Sequence, residues 1–142
     1  MAGRPVTATM TRILLFAKAP RPGFAKTRLI PLLGAEGAAA MARRMLMTTL
    51  ASAVEARVGA VELCVTPEST HPAWQSVEIP AGVIVTHQGE GDLGARLARA
   101  AARHQEPRLL IGTDCVEMSP ALLRTAAAAL QTVDALLHPT AD

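Results

Sequence analysis

The stretch Arg12-Ile-Leu-Leu-Phe-Ala17 decides how this chain is expected to fold. It is a short apolar run, too short for an ordinary helix, so it predicts a buried strand. Lys18-Ala-Pro-Arg-Pro-Gly23 follows directly. The two prolines exclude regular helix there, and Gly23 permits a tight turn. The chain is therefore expected to enter a buried strand and leave it through a semi-rigid loop that carries cations.

Strands and helices alternate along the rest of the chain. The runs that are typical of further strands are residues 61–66, 83–86, 108–112 and 133–137. Helices are expected at residues 35–58, 93–104 and 120–130. Such alternation predicts a three-layer α/β/α domain, Rossmann-like, with a mostly parallel sheet of about five strands. Ligands of such sheets collect at the carboxyl ends of the strands.

Two of these helices have recognisable first residues. Asp92 is expected to cap the helix that begins after it, with Leu93, Leu97 and Ala101 turned inward. Ser119, followed by a proline, fits the start of the last helix in the same way.

Composition excludes several classes of protein. The chain has 142 residues, of which 50% are hydrophobic, 18% charged and 2% aromatic. This apolar content is too high for disorder, yet no run is long enough for a membrane span or a signal peptide, so a cytoplasmic domain is expected. Cys64 and Cys115 have no metal-site spacing and are expected to be buried thiols. Scarce aromatic residues and the absence of a known recognition pattern argue against nucleic-acid binding.

Charge is distributed unevenly, although the formal net charge is only +2. Residues 1–35 hold six Lys and Arg and no acid, and they include the only two lysines of the chain. Four cations follow the first strand in one loop, at Lys18, Arg21, Lys26 and Arg28. Polyphosphate is the expected counterpart, although the glycines of a Walker A loop are missing. A solvated basic loop is the alternative interpretation.

A second loop, Gln88-Gly-Glu-Gly-Asp-Leu-Gly94, leads into the helix after the third strand. Its glycines would let the backbone approach a ligand closely, which makes Gly91, Asp92 and Gly94 candidate nucleotide-binding residues. Turn geometry together with the cap at Asp92 would explain the same pattern without a ligand.

A third loop, Gly112-Thr-Asp-Cys-Val-Glu117, places Asp114 at the carboxyl end of the most apolar strand. A carboxylate facing a phosphate site fits a bridging Mg²⁺ or Mn²⁺, because Mg²⁺ is usually held by one or two carboxylates together with substrate phosphates. Asp114 is thus the candidate metal ligand and catalytic residue; alternatively, it braces the loop. Glu117 is assigned to the N-terminus of the next helix. His71 and His104 are expected in loops or at the surface, and no histidine has the spacing of a catalytic triad.

These three loops together resemble a family. Phe16-Ala-Lys-Ala-Pro-Arg-Pro-Gly-Phe-Ala-Lys-Thr-Arg-Leu29, Gln88-Gly-Glu-Gly-Asp-Leu-Gly-Ala-Arg96 and Gly112-Thr-Asp-Cys115 are similar to the signature loops of small bacterial glycosyltransferase-like proteins. That family is described as radical-SAM/selenodomain-associated and linked to arsenosugar biosynthesis. A more distant similarity joins Lys26-Thr-Arg-Leu29 to 2-phospholactate and molybdenum-cofactor guanylyltransferases.

The resemblance implies the nucleotide-diphospho-sugar transferase fold, glycosyltransferase type A. It places Lys18, Lys26 and Arg28 near nucleotide phosphates, Asp114 near the metal and residues 91–94 near the nucleoside. Val116 stands where the family usually has proline. Family members also continue for some 50 to 60 residues where this chain stops.

The expected organisation is a flexible segment over residues 1–11 and a nucleotide-binding domain over 12–142 that lacks the usual acceptor-side portion. The last strand would then be an open sheet edge, which favours self-association into a homo-oligomer. The leading hypothesis is a glycosyltransferase that uses a nucleoside-diphosphate sugar, a divalent metal and a small acceptor. A nucleotidyltransferase that uses a nucleoside triphosphate, a catalytically silent nucleotide-binding module and a scaffold for an anionic metabolite remain open alternatives.

Overall fold

The computed structural model describes residues 10–115 and 117–131 as an α/β domain. Its strands are β1 (Arg12–Lys18), β2 (Val61–Thr66), β3 (Ile84–His87) and β4 (Arg108–Ile111). Its helices are α1 (Ile30–Ala56), α2 (Leu93–Ala102) and α3 (Pro120–Ala129), and short 3₁₀ turns occur at Thr27–Leu29 and Pro72–Trp74. The predicted fifth strand, at 133–137, and Val116 lie outside the described residues.

The four described strands form one sheet in the order β3-β2-β1-β4, and every neighbouring pair is parallel. Alternate β1 residues face opposite sides of it. Ile13 and Leu15 pack with α1 and α3, whereas Leu14 packs with Ala100 of α2. One layer therefore holds α1 and α3 and the other holds α2, which confirms the predicted three-layer arrangement. No helix of the described residues is long and apolar enough to cross a membrane.

Helix α1 bears out its predicted start. Gly34 adopts φ 76° and ψ 165°, so a leading turn that contains Leu32 and Leu33 is separated from a helix body beginning at residue 35. The body ends at Ala56, where Arg57 turns the chain into β2 with φ 53°. Next to this turn Thr11 is 1% exposed, and its N–H donates to the Val58 carbonyl at 2.8 Å. The fold thus includes residue 11 itself.

Two predicted burials are wrong. Leu93 is 61% exposed, because it is the first residue of α2 and projects at the open carboxyl end of the sheet; the deep contact is made by Ala100, which is completely buried. Cys115 is only partly buried because it follows β4, which pairs with a single neighbour among the described strands. Cys64, in the centre of β2, is buried as predicted.

A buried carboxylate organises the amino end of the sheet. Glu62 is 1% exposed and accepts hydrogen bonds from Arg12 Nη1 at 3.2 Å and Thr86 Oγ1 at 2.8 Å. His104 Nε2 lies 2.9 Å from the same carboxylate. His104 is in the loop between α2 and β4, as expected, but its ring is partly buried against Glu62. Glu106 is the last member of this group and accepts a hydrogen bond from Arg12 Nε at 3.3 Å. The pKa of Glu106 is lowered, mainly by a backbone hydrogen bond and also by Arg12.

Candidate functional site

An open cleft of about 1160 Å³ lies at the carboxyl ends of β1 and β4. The loop after β1 forms one wall, residues 110–114 form another, and the first turns of α2 close the third side. The volume is slightly above the usual range of small-molecule pockets. The charged residues that line it are Lys18, Lys26, Arg28, Arg96 and Asp114. The cleft is thus positive, with one carboxylate at its rim.

Lys26 and Asp114 meet across the cleft. Lys26 Nζ donates to Asp114 Oδ1 at 2.5 Å, and the side chains are 20% and 73% exposed respectively. Lys26 has φ 50° and ψ 47°, a left-handed conformation that non-glycine residues rarely adopt. The turn at Gly23, with φ 84°, and this residue aim the ammonium at the loop after β4. The expectation that the basic loop faces Asp114 is therefore confirmed by the geometry.

Of the other cations predicted in the first loop, Lys18 and Arg28 line the cleft and are exposed, whereas Arg21 does not line it. The Arg21 guanidinium instead stacks over the Phe24 ring, with Cζ 3.8 Å from the ring centroid. Phe24 is 52% exposed and lines the cleft with its other atoms.

The glycine loop is held by arginines of α2. Arg99 donates to the carbonyls of Gln88 at 2.7 Å and Glu90 at 2.8 Å, and Arg96 Nε donates to the Gly91 carbonyl at 2.8 Å. Gly91 has φ 103°, which requires glycine. Asp92 Oδ1 accepts from the Ala95 N–H at 2.8 Å and is the predicted N-cap.

Gly91, Asp92 and Gly94 do not themselves line the cleft. The positive φ of Gly91 and the cap made by Asp92 account for those two residues without a ligand. Their nucleotide-binding role stays a prediction.

Two residues of the cleft were missed from the sequence. Gln88 is 5% exposed, and its Nε2 donates to the carbonyls of Ala17 at 3.2 Å and Cys64 at 3.1 Å. Its Oε1 accepts from Arg96 Nη1 at 3.3 Å, which holds that guanidinium at the cleft. Their positions in the sequence could have indicated them. Gln88 directly follows β3, and Arg96 lies in the first turn of α2, so both are at the carboxyl end of the sheet.

The residues that line the cleft could hold a divalent cation only if a bound ligand supplied further oxygen atoms. Among the described residues, Asp114 is the single carboxylate that lines the cleft, and no group of three His, Cys, Asp or Glu could hold a metal. One carboxylate together with phosphate oxygens and waters is an arrangement that Mg²⁺ commonly adopts. The residues present therefore fit a cation that arrives with a phosphorylated ligand.

Fold and cleft together place the chain among proteins with the nucleotide-diphospho-sugar transferase fold. A crystal structure from Desulfovibrio desulfuricans G20, provisionally assigned as a nucleotide-diphospho-sugar transferase, superposes with a TM-score of 0.74 at 25% identity. The match covers 86% of this chain and 55% of that one, so the chain spans about half the length of that relative.

Residues 49–142 match the model of DUF2064, described as an uncharacterized protein conserved in bacteria, and the chain belongs to this family. The matched range includes the glycine loop and Asp114 and begins after the basic loop. No curated protein matches the chain at a comparable level.

Proposed function

We propose that this chain binds the diphosphate of a nucleoside-diphosphate sugar in the cleft and serves as the nucleotide-binding part of a glycosyltransferase. The observation that carries the proposal is the Lys26–Asp114 ion pair in a cleft whose other charged lining residues are all cations. The provisional assignment of the Desulfovibrio desulfuricans structure supports the substrate class. Membership of an arsenosugar-type subgroup stays a prediction from the resemblance.

The cleft offers each part of a nucleotide diphosphate a separate contact. Lys18, Lys26 and Arg28 present cations for phosphate oxygens, and Arg96 adds a planar guanidinium on the opposite wall. Asp114, once Lys26 has turned to a phosphate, would hold Mg²⁺ or Mn²⁺. When bound, that cation supplies positive charge beside the leaving diphosphate.

The chemistry proposed for these residues is stabilisation of a leaving group. An acceptor hydroxyl would attack the anomeric carbon while the bond to the diphosphate breaks, and negative charge would build on the phosphate oxygens. Cations already in position lower the energy of that state. Asp114 and Lys26 are therefore the proposed catalytic pair, and the acceptor is a small molecule of undetermined chemistry.

Ligand binding to the wild-type chain tests the proposal. A nucleoside-diphosphate sugar with Mn²⁺ should stabilise the fold by about 2.7 kcal/mol once it exceeds its Kd about 100-fold. At this chain length that corresponds to a rise in Tm of roughly 5–10 °C. Lys26→Gln should weaken binding by at least about tenfold, because a charge-assisted hydrogen bond is lost.

Arg124→Gln is the matched control for Lys26→Gln, since Arg124 is an exposed residue of α3 that does not line the cleft. Equal weakening by the two changes, or no stabilisation by any nucleotide sugar at millimolar concentration, would show the proposal to be wrong. A larger shift with a nucleoside triphosphate would favour nucleotidyl transfer.

Asp114→Asn should change the nucleotide affinity measured with a divalent metal differently from the affinity measured without one. Without metal, nucleotide affinity should stay equal or rise a few-fold, because Lys26 no longer has a competing carboxylate and the pair, being exposed, is worth about 1 kcal/mol or less. The gain in affinity on adding Mn²⁺ should disappear. Isothermal titration calorimetry with and without Mn²⁺ measures both. A catalytically silent module would show nucleotide binding with no metal effect in either protein and no turnover in the wild type.

A further inference from the structure

Arg21 and His71 bring two side-chain donors together outside the cleft. Arg21 belongs to the loop after β1 and His71 to the connection after β2, and Arg21 Nη1 lies 3.4 Å from His71 Nε2. Both residues are partly buried, and neither lines the cleft. Whether these two nitrogens can form a hydrogen bond depends on which ring nitrogen of His71 carries the proton.

The other ring nitrogen answers that question. His71 Nδ1 accepts a hydrogen bond from the Ala73 N–H at 3.0 Å, where His71 is the residue before a 3₁₀ turn. A nitrogen that accepts has no proton, so the proton of the neutral imidazole is on Nε2. Arg21 Nη1 is always a donor. The 3.4 Å contact therefore sets two N–H groups against each other, and a hydrogen bond between them is excluded.

The guanidinium is fixed in this position by its own loop. Its stacking on Phe24 is a cation–π contact, with Arg21 Cζ 3.8 Å from the ring centroid. The Arg21 carbonyl accepts from the N–H groups of Phe24 and Ala25, both at 3.1 Å, which closes the turn below it. Arg21 Nε is buried without a hydrogen-bond partner among the described residues. No described carboxylate lies within ion-pair distance of this side chain.

Arg21 meets His71 on one side of β1, whereas Lys26 meets Asp114 on the other. β2 and β4 lie on opposite sides of β1. The loop after β1 reaches the connection after β2 through Arg21 and the loop after β4 through Lys26. The loop after β1 thus presents donors on both sides of the strand. Among the described residues, Lys26 has a carboxylate partner and Arg21 has none.

We propose that Arg21 and His71 form a second anion site, which takes an oxyanion with at least two acceptor oxygens. One oxygen accepts from Arg21 Nη1 and another from His71 Nε2, which replaces a contact between two donors by two hydrogen bonds, one of them charge-assisted. A carboxylate and a phosphate monoester share this chemistry. The site does not depend on the proposed function, because none of its atoms belongs to the cleft.

Side-chain nitrogen NMR of the wild-type chain tests the site directly. In the protein without added anion, the His71 signals should show Nδ1 unprotonated and Nε2 protonated. Titration with inorganic phosphate and, separately, with acetate at constant ionic strength should move His71 Nε2 and Arg21 Nε in a saturable way. Saturation by phosphate alone, by acetate alone or by both supports the site and identifies its oxyanion.

Variants separate the site from a general charge effect. Arg21→Gln should weaken the anion at least about tenfold. His71→Asn, which keeps an acceptor for the Ala73 N–H, should weaken it several-fold, while Arg124→Gln should leave it unchanged. Lys26→Gln should also leave anion binding at this site unchanged while it weakens nucleotide binding in the cleft, so the two proposals fail separately. An unprotonated Nε2, a linear response, or equal losses in Arg21→Gln and Arg124→Gln overturns the site.

Discussion

Replacing Glu62 with glutamine is expected to lower the free energy of unfolding by about 3 kcal/mol. The side chain is 1% exposed, and Arg12, Thr86 and His104 all direct polar groups at its two oxygens. Glutamine keeps one acceptor oxygen but places an NH₂ group against donors, and it leaves the Arg12 charge without its buried partner. Breaking a buried ion pair from one side is costly for this reason.

Urea denaturation measures the Glu62→Gln effect. The midpoint should fall with the m-value unchanged, and Tm should drop by roughly 6–12 °C. Glu55→Gln, at an exposed position of α1, should change stability by no more than about 0.5 kcal/mol. Glu62→Met combined with Arg12→Met should recover part of the loss, because the buried carboxylate and its guanidinium partner are then removed together. Equal, small effects of Glu62→Gln and Glu55→Gln would contradict the role assigned to this carboxylate.

Gly59→Ala is expected to cost about 3 kcal/mol, at the upper end of what overpacking produces. A β-carbon on Gly59 would lie 2.1 Å from the Thr11 carbonyl oxygen and 2.7 Å from its carbonyl carbon. These are backbone atoms, and they are held in place because Thr11 N–H donates to Val58 and Ile13 N–H to Ala60. Relief would require the entry of β1 to move away from the turn before β2.

Gly112→Ala is the control for Gly59→Ala, since nothing lies within 4 Å of its β-carbon position and its φ is not left-handed. It should change the denaturation midpoint only slightly, while Gly59→Ala lowers it strongly. A similar, small change for both variants would mean that the close approach of Thr11 does not constrain the native backbone.

The basic loop and its carboxylate could be predicted because topology places them together. Once β1 and β4 are both read as parallel strands, Lys26 and Asp114 must follow their carboxyl ends, and the two side chains form an ion pair in the structure. Which cations of the loop line the cleft could not be predicted, because that depends on the direction of each side chain. Arg21 turns to Phe24 and His71 rather than to the cleft, and no spacing in the sequence records that choice.

The buried charge of the fold was also beyond sequence reasoning. Glu62 alternates with apolar residues in β2, which is typical of a strand with one solvent-facing side. Its partners come from residues 12, 86 and 104, which are distant in the chain and meet only when four elements pack. Gln88 was missed for a similar reason. Its amide is held by hydrogen bonds to one carbonyl of β1 and one of β2, which are distant from it in the sequence.

The Glu62 group and the cleft lie at opposite ends of β1, whose seven residues span about 20 Å. Substitutions separated by more than about 10 Å without shared partners usually have additive effects. Thermal stability could therefore be raised or lowered at the amino end of the sheet by engineering, without a change in the nucleotide affinity proposed for the cleft. Selection in organisms that grow at different temperatures could adjust the two properties of this domain independently.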